Sequence, residues 1–218
     1  MLPALQQSQI LDVGCGPGGP TMGLARLGEA QVIGVDVHGP YLHILAARAR
    51  RAGLADRVHP LKSSMLALGF RDESLDAVWA EGSIQFIGFE EGLRAWRRLL
   101  RPGGSLVVHD MVWLSPDPPP DIYRYWKGRF SGVRTVPARL EQILACGYDP
   151  VGHFSLPEDA WWNVYYGPLE ARIQEFRETY GEDAVTSSVP DGELQEIDMF
   201  KRGQKWYGSA FFVMQKRS

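Results

Sequence analysis

Short apolar runs alternate with stretches whose apolar positions recur at helical spacing over the first two thirds of the chain. Gln9–Val13 is short and apolar, which predicts a first strand ending in the run Gly14-Cys15-Gly16-Pro17-Gly18-Gly19. A helix is expected from there through Leu27, followed by a strand over Gln31–Val35 and a helix over Tyr41–Ala52. Val58–Leu61 and Leu75–Ala80 read as the third and fourth strands. Phe89–Leu100 places Leu93, Trp96, Leu99 and Leu100 at helical spacing, and Arg101-Pro102-Gly103-Gly104 reads as the turn into a fifth strand, Ser105–His109. Strands alternating with helices call for a parallel sheet with helices on both faces.

Beyond Asp110 the pattern changes. Ser115–Asp121 contains four prolines, too many for a helix or a central strand, so an irregular lid is expected over 110–133. Pro137–Cys146 reads as a helix stopped by Gly147, and Pro150–Leu156 as a sixth strand. Helices over about Glu158–Tyr180 and Asp191–Gln204 precede a last strand, Ala210–Gln215, so a helical insertion, 157–205, interrupts the final pair of strands. No repeat or linker divides the chain, and a single domain over 1–218 is expected.

Composition narrows the class. A domain of 218 residues buries roughly 70% of its unfolded surface, and 44% hydrophobic with 22% charged residues is an ordinary globular balance. The net charge of −3 gives no electrostatic reason to expect a nucleic-acid partner. No apolar run approaches the ~20 residues that span a bilayer, and no signal-peptide pattern opens the chain, so no membrane partner and a cytoplasmic location are expected. Cys15 and Cys146 fit neither a metal-ligand spacing nor a disulfide framework, and no metal site is expected.

A glycine-rich turn between a strand and a helix lets backbone approach a ligand, because Gly14, Gly16 and Gly18 carry no side chain to block it. Gly14, Gly16 and Gly19 formally fit G-x-G-x-x-G, and Asp36 follows Gly16 by 20 residues, at the end of the second strand. Both features suit a nucleotide whose ribose needs a carboxylate, which leaves a nicotinamide-dependent oxidoreductase open. Asp12, inside the strand end, points elsewhere: a carboxylate there repels a pyrophosphate and attracts the cationic amino-acid end of S-adenosylmethionine. Turn glycines often only make turns, and either aspartate alone could cap a helix. The strand, turn and helix context around both favours a ligand.

Ile10-Leu11-Asp12-Val13-Gly14-Cys15-Gly16-Pro17-Gly18-Gly19 resembles the first motif of class I S-adenosylmethionine-dependent methyltransferases, and Val32-Ile33-Gly34-Val35-Asp36 resembles the second. Leu75–Gly82 is similar to their fourth-strand motif and Leu99–Leu106 to the segment entering the fifth strand. Glu81-Gly82-Ser83-Ile84, with Ile87-Gly88-Phe89, Trp161-Trp162 and Tyr165-Tyr166, is similar to a bacterial subgroup acting on small molecules. The resemblance implies a Rossmann-like, seven-stranded, mostly parallel sheet with an antiparallel last strand, and a lid and cap that enclose a small methyl acceptor. It also implies one or two helices ahead of the first strand, where this sequence has about eight residues.

Roles follow from the same resemblance. Gly14, Cys15, Gly16 and Gly18 would line the methionine and ribose, Asp36 would take the ribose hydroxyls, and Val37 would pack on the adenine. Ser64 and Met65 occupy the loop that reads the adenine edge, where many relatives carry an aspartate. Asp12 and Glu81 would serve the methionine end.

Transfer from a methyl sulfonium is an in-line displacement that mainly needs alignment and dryness. Glu81, then His109 and Asp110, are the candidates to take an acceptor's proton, while His153 reads as structural. Trp113, Trp126, Trp161, Trp162, Tyr165 and Tyr166 are candidates to line an acceptor pocket, apolar or cation-binding, or else a homodimer interface. Neighbouring helix residues point about 100° apart, so one member of each aromatic pair should be left outside a core stripe. A cofactor-binding protein without turnover is the remaining alternative.

Overall fold

The computed structural model describes residues 8–130, 132–181 and 184–217, which gather into two compact units. The first comprises the chain up to Asp110, Pro137–Phe154 and Ala210 onwards; the second comprises Met111–Val136 and Ser155–Ser209.

The first unit is built on β1 (Gln9–Val13), whose residues from Ile10 onward are all buried, as a strand covered on both faces requires. Parallel β2 (Gln31–Asp36) and β4 (Leu75–Glu81) flank it, with Leu11 opposite Ile33 on one side and Val78 on the other. β3 (Val58–Lys62) lies beyond β2; β5 (Leu100–Trp113) follows β4, and the sheet continues through β8 (Tyr207–Lys216) to β7 (Tyr148–Ser155). The order β3-β2-β1-β4-β5-β8-β7, mostly parallel with β8 antiparallel, is the expected Rossmann-like arrangement.

Helices α1 (Gly19–Arg26) and α2 (Gly39–Arg51) bury Met22, Leu24, Leu42 and Leu45 against Ile10 and Val32. Helix α3 (Phe89–Arg97) is sharply two-sided: Phe89, Leu93 and Trp96 face inward, acidic Glu90 and Glu91 sit in its first turn, and Arg94 and Arg97 in its last. Helix α5 (Val136–Ala145) buries Arg139 and Ile143.

The fifth strand is longer than the sequence pattern suggests, because Arg101–Gly104 is not a terminal turn. Leu100 pairs with Leu75 and Ser105 with Ala77, so Arg101–Gly104 bulges out within one strand, helped by the left-handed backbone of Gly103.

The second unit contains α4 (Pro120–Arg129), the two-residue strand β6 (Arg134–Thr135) paired with Val112 and Trp113, α6 (Glu158–Trp161), α7 (Gly167–Tyr180) and α8 (Ala184–Gly203). β6 brings the strands to eight. The lid expected over 110–133 is irregular only in part: β5 runs to Trp113, and α4 begins where the proline run supplies a residue suited to a helix's first turn. The long helix expected from Glu158 is broken by a π-helical turn, Trp162–Tyr166. Trp113, Ile122, Trp126, Tyr166, Phe200 and Tyr207 form this unit's core.

Candidate functional site

The glycine turn joins β1 to α1 and is held by backbone alone at its entry, where the amides of Gly14 and Cys15 both donate to the Val35 carbonyl at 2.8 and 3.0 Å. Gly14, Gly16 and Gly18 all have left-handed backbone, with φ of 72°, 52° and 86°. Two of the three also answer close packing. A Cβ at Gly14 would lie 2.5 Å from Ser83 Cβ, and one at Gly18 would lie 2.2 Å from Leu45 Cδ1. At Gly16 a Cβ would meet nothing within 4 Å, so this residue marks the open side of the turn.

Asp36 ends β2 beside that opening. Its Oδ2 accepts from the Gly16 amide at 2.9 Å and its Oδ1 from the His38 amide at 2.8 Å, which fixes the carboxylate next to the glycines. Val37 is 63% exposed and free to cover a flat ligand. Ser64 Oγ accepts the Leu66 amide at 3.2 Å, and the Met65 carbonyl accepts from Trp96 Nε1 at 3.3 Å; Met65 Cε comes within 3.6 Å of a Cβ placed at Gly14.

Two expected cofactor contacts take other roles. Cys15 is buried among Gly34 and Leu45, its amide is spent on β2, and burial pushes its thiol up to about 12; its side chain packs the core. Asp12 does not stand open in the crevice. It is 1% exposed and accepts from the Thr21 hydroxyl at 2.6 Å, tying β1 to α1. Burial raises its carboxyl to about 7; hydrogen bonding to Thr21 opposes the shift, while the charges of Glu81 and Asp36 add to it.

Glu81 ends β4 in an exposed position and accepts from Trp79 Nε1 at 3.1 Å. Opposite it in register, on β5, is His109. Its ring stacks on Phe211 at 4.6 Å, both its nitrogens are buried with no hydrogen-bond partner among the described residues, and burial lowers its pKa to about 4. Asp110, the next residue, faces away from this position and is not a free base. It is paired with Arg139 at 2.6 Å, both groups 4% exposed, and Arg139 also lies over the Phe89 ring and donates to Gln142. His153 is exposed and stacks on Phe212.

The aromatic candidates divide. Trp113, Trp126 and Tyr166 belong to the buried core of the second unit, where they can only pack, and the Tyr166 hydroxyl donates to Glu196. Tyr165, its neighbour, is 51% exposed, so this pair splits as helical geometry requires. Trp161 and Trp162 do not split: both are half-buried and both stack against Phe200, because the π turn follows directly after Trp161. Trp162 also lines a cleft of about 640 Å³ with Ile173, Leu194, Glu170 and Arg177.

Ser83, Thr21 and Phe211 escape sequence reasoning because each acts through a contact distant along the chain. Ser83 Oγ donates to the Val13 carbonyl at 2.6 Å, 70 residues away, and its bulk is what excludes a side chain at position 14. Thr21 alone carried a usable signal, nine residues after Asp12 in the first turn of a short helix.

Residues 10–104, which carry this turn, match the family described as methyltransferase domain. That match spans less than half of the chain. The domain is 39% identical over 105 residues to the methyltransferase GfsG of Streptomyces halstedii, covering 48% of this chain and 38% of that protein. It is 33% identical over 119 residues to the 27-O-demethylrifamycin SV methyltransferase of Amycolatopsis mediterranei, covering 54% and 43%. The chain thus spans less than half the length of these curated relatives. The methyltransferase fold extends further than the sequence match. A methyltransferase of Thiobacillus denitrificans, solved with S-adenosyl-L-homocysteine, superimposes over 99% of this chain and 88% of its own with a TM-score of 0.85 at 20% identity. Its counterpart from Geobacter sulfurreducens covers 97% and 86% with a TM-score of 0.83 at 22% identity.

Proposed function

We propose that the chain binds S-adenosylmethionine in the first unit and transfers its methyl group to a small-molecule acceptor. One observation carries this reading beyond the family match: Asp36 and Glu81 end β2 and β4 on either side of β1 and its glycine turn, and the charges of both act on the buried carboxyl of Asp12. None of the three makes an ion pair with a basic side chain among the described residues. Such a crevice favours a sulfonium and an ammonium and disfavours a pyrophosphate, which is the opposite of what a nicotinamide cofactor needs.

The fit extends to the parts of the ligand. Gly16 leaves open space for the ribose and methionine, Asp36 offers lone pairs to ribose hydroxyls, exposed Val37 covers an adenine, and Met65 and Ser64 border it. Asp12 supports the methionine end through the turn it anchors. When bound, the cofactor supplies a methyl carbon already activated by a positive sulfur, whose S–C bond breaks with its electron pair kept on sulfur.

Glu81 is the residue we assign to receive the proton an acceptor gives up, being exposed at the crevice and anchored by Trp79. Neutral His109 stands second, holding a lone pair without a partner. Asp110 is withdrawn from this role by its ion pair. We assign recognition of an apolar or cationic acceptor to the second unit, at exposed Tyr165 and the cleft beside Trp162. Two free, buried cysteines suit a reducing, cytoplasmic compartment.

Incubation with methyl-labelled S-adenosylmethionine and a small-molecule extract should yield a labelled small product. That product should fall at least tenfold with Glu81→Gln, roughly 1.4 kcal/mol of lost transition-state stabilisation. Label confined to unreacted cofactor would refute transfer.

A further inference from the structure

Arg26 of α1 and Arg48 and Arg51 of α2 line a single groove of about 490 Å³ on the first unit, together with Gly18, Gly19 and Met22. All three arginines are exposed, and no carboxylate lines the groove. Arg48 donates from Nη1 to the Pro17 carbonyl at 2.9 Å, which fixes its guanidinium beside the start of α1 and leaves its other N–H groups for a further acceptor. Arg26 and Arg51 make no ion pair or side-chain hydrogen bond among the described residues.

Basic residues in the last turn of a helix ordinarily answer the helix dipole, and Arg26 and Arg51 both occupy such positions. That explains each arginine singly. It does not explain why two helices turn their cations toward one concavity and away from any acid, since like charges so placed repel unless an anion lies between them. A volume of about 490 Å³ falls within the ~300–1,000 Å³ of small-ligand pockets, and guanidinium forks match phosphate oxygens in paired hydrogen bonds.

The geometry points to a binding site for a small phosphate-bearing anion, of the diphosphate class, in the groove formed by Arg26, Arg48 and Arg51. This site is chemically opposite to the carboxylate-lined crevice around Gly16, which repels such an anion, so the two take different ligands.

Calorimetric titration of the full chain with inorganic pyrophosphate and with ADP at low ionic strength tests it. The expected result is a Kd of about 1 mM or tighter, weakened at least tenfold in the double variant Arg26→Gln/Arg51→Gln and unchanged in Arg50→Gln, whose side chain lies on the same helix but outside the groove. Equal binding of the two probes would mean that the diphosphate suffices; tighter binding of ADP would mean that a nucleoside adds contacts. Arg48 is left intact because it also holds the glycine turn. An unchanged melting curve in the double variant and unchanged affinity for S-adenosylhomocysteine would show that the fold persists. No binding of either probe by the parent protein, no loss in the double variant, or an equal loss in Arg50→Gln would overturn the proposal.

Discussion

Asp12 carries its carboxyl inside the sheet, against one hydroxyl and near two other acids, and its pKa near 7 makes folding depend on pH. Between about pH 4 and pH 7 the unfolded chain loses this proton while the folded chain keeps it, so the contribution of Asp12 to stability falls as pH rises through that window. Asp12→Asn retains an acceptor for Thr21 and removes the titration. Its melting temperature relative to the parent should rise between about pH 5 and pH 8; a constant difference would contradict the burial argument. His109 works in the other sense. Its pKa is lowered to about 4 by burial, so stability is lost as pH falls below the ordinary histidine value of 6.5 towards 4. A proton NMR titration of the His109 ring should find it neutral throughout the neutral range with a midpoint near 4, and a midpoint near 6.5 would mean that the ring is solvated.

At the scale of elements, the glycine turn makes two different demands on its residues. Gly18→Ala meets both left-handed backbone and the Leu45 side chain, so it should lose roughly 2–4 kcal/mol of stability. Gly16→Ala meets only the backbone strain, about 1–2 kcal/mol, and fills the open side. Urea denaturation with calorimetry on both should therefore separate a folding defect from a binding defect. The Asp110–Arg139 pair is a second such element: Arg139→Met breaks a buried ion pair and should cost about 3–5 kcal/mol.

Wherever apolar period and turn residues coincide, the elements were legible in the sequence, as in β1, β2, β4 and α3. Elements set by distant pairing were not: β6 is two residues held by Val112 and Trp113, and the Arg101–Gly104 bulge exists only because β4 skips past it. The carboxylates and glycines of the site were readable because their chemistry demands residue type and spacing. Asp110 and Trp126 were misread for a common reason, since a side chain that looks available in sequence is used up when burial supplies it with a partner or a core.

At the scale of the molecule, the first unit holds a crevice bordered by Asp36 and Glu81 at the glycine turn and a basic groove of opposite charge, and the second unit carries exposed and half-buried rings around Trp162 and Tyr165. A binding event seated in the crevice should slow amide exchange in the first unit around Gly14–Gly18 and Asp36–His38 and leave β6 unaffected. The most direct test of the central claim is calorimetric titration of the chain with S-adenosylhomocysteine, in the parent protein and in Asp36→Ala. Micromolar-range binding that weakens at least tenfold in the variant is the predicted result. The absence of binding by the parent protein, or equal binding by both, would contradict it.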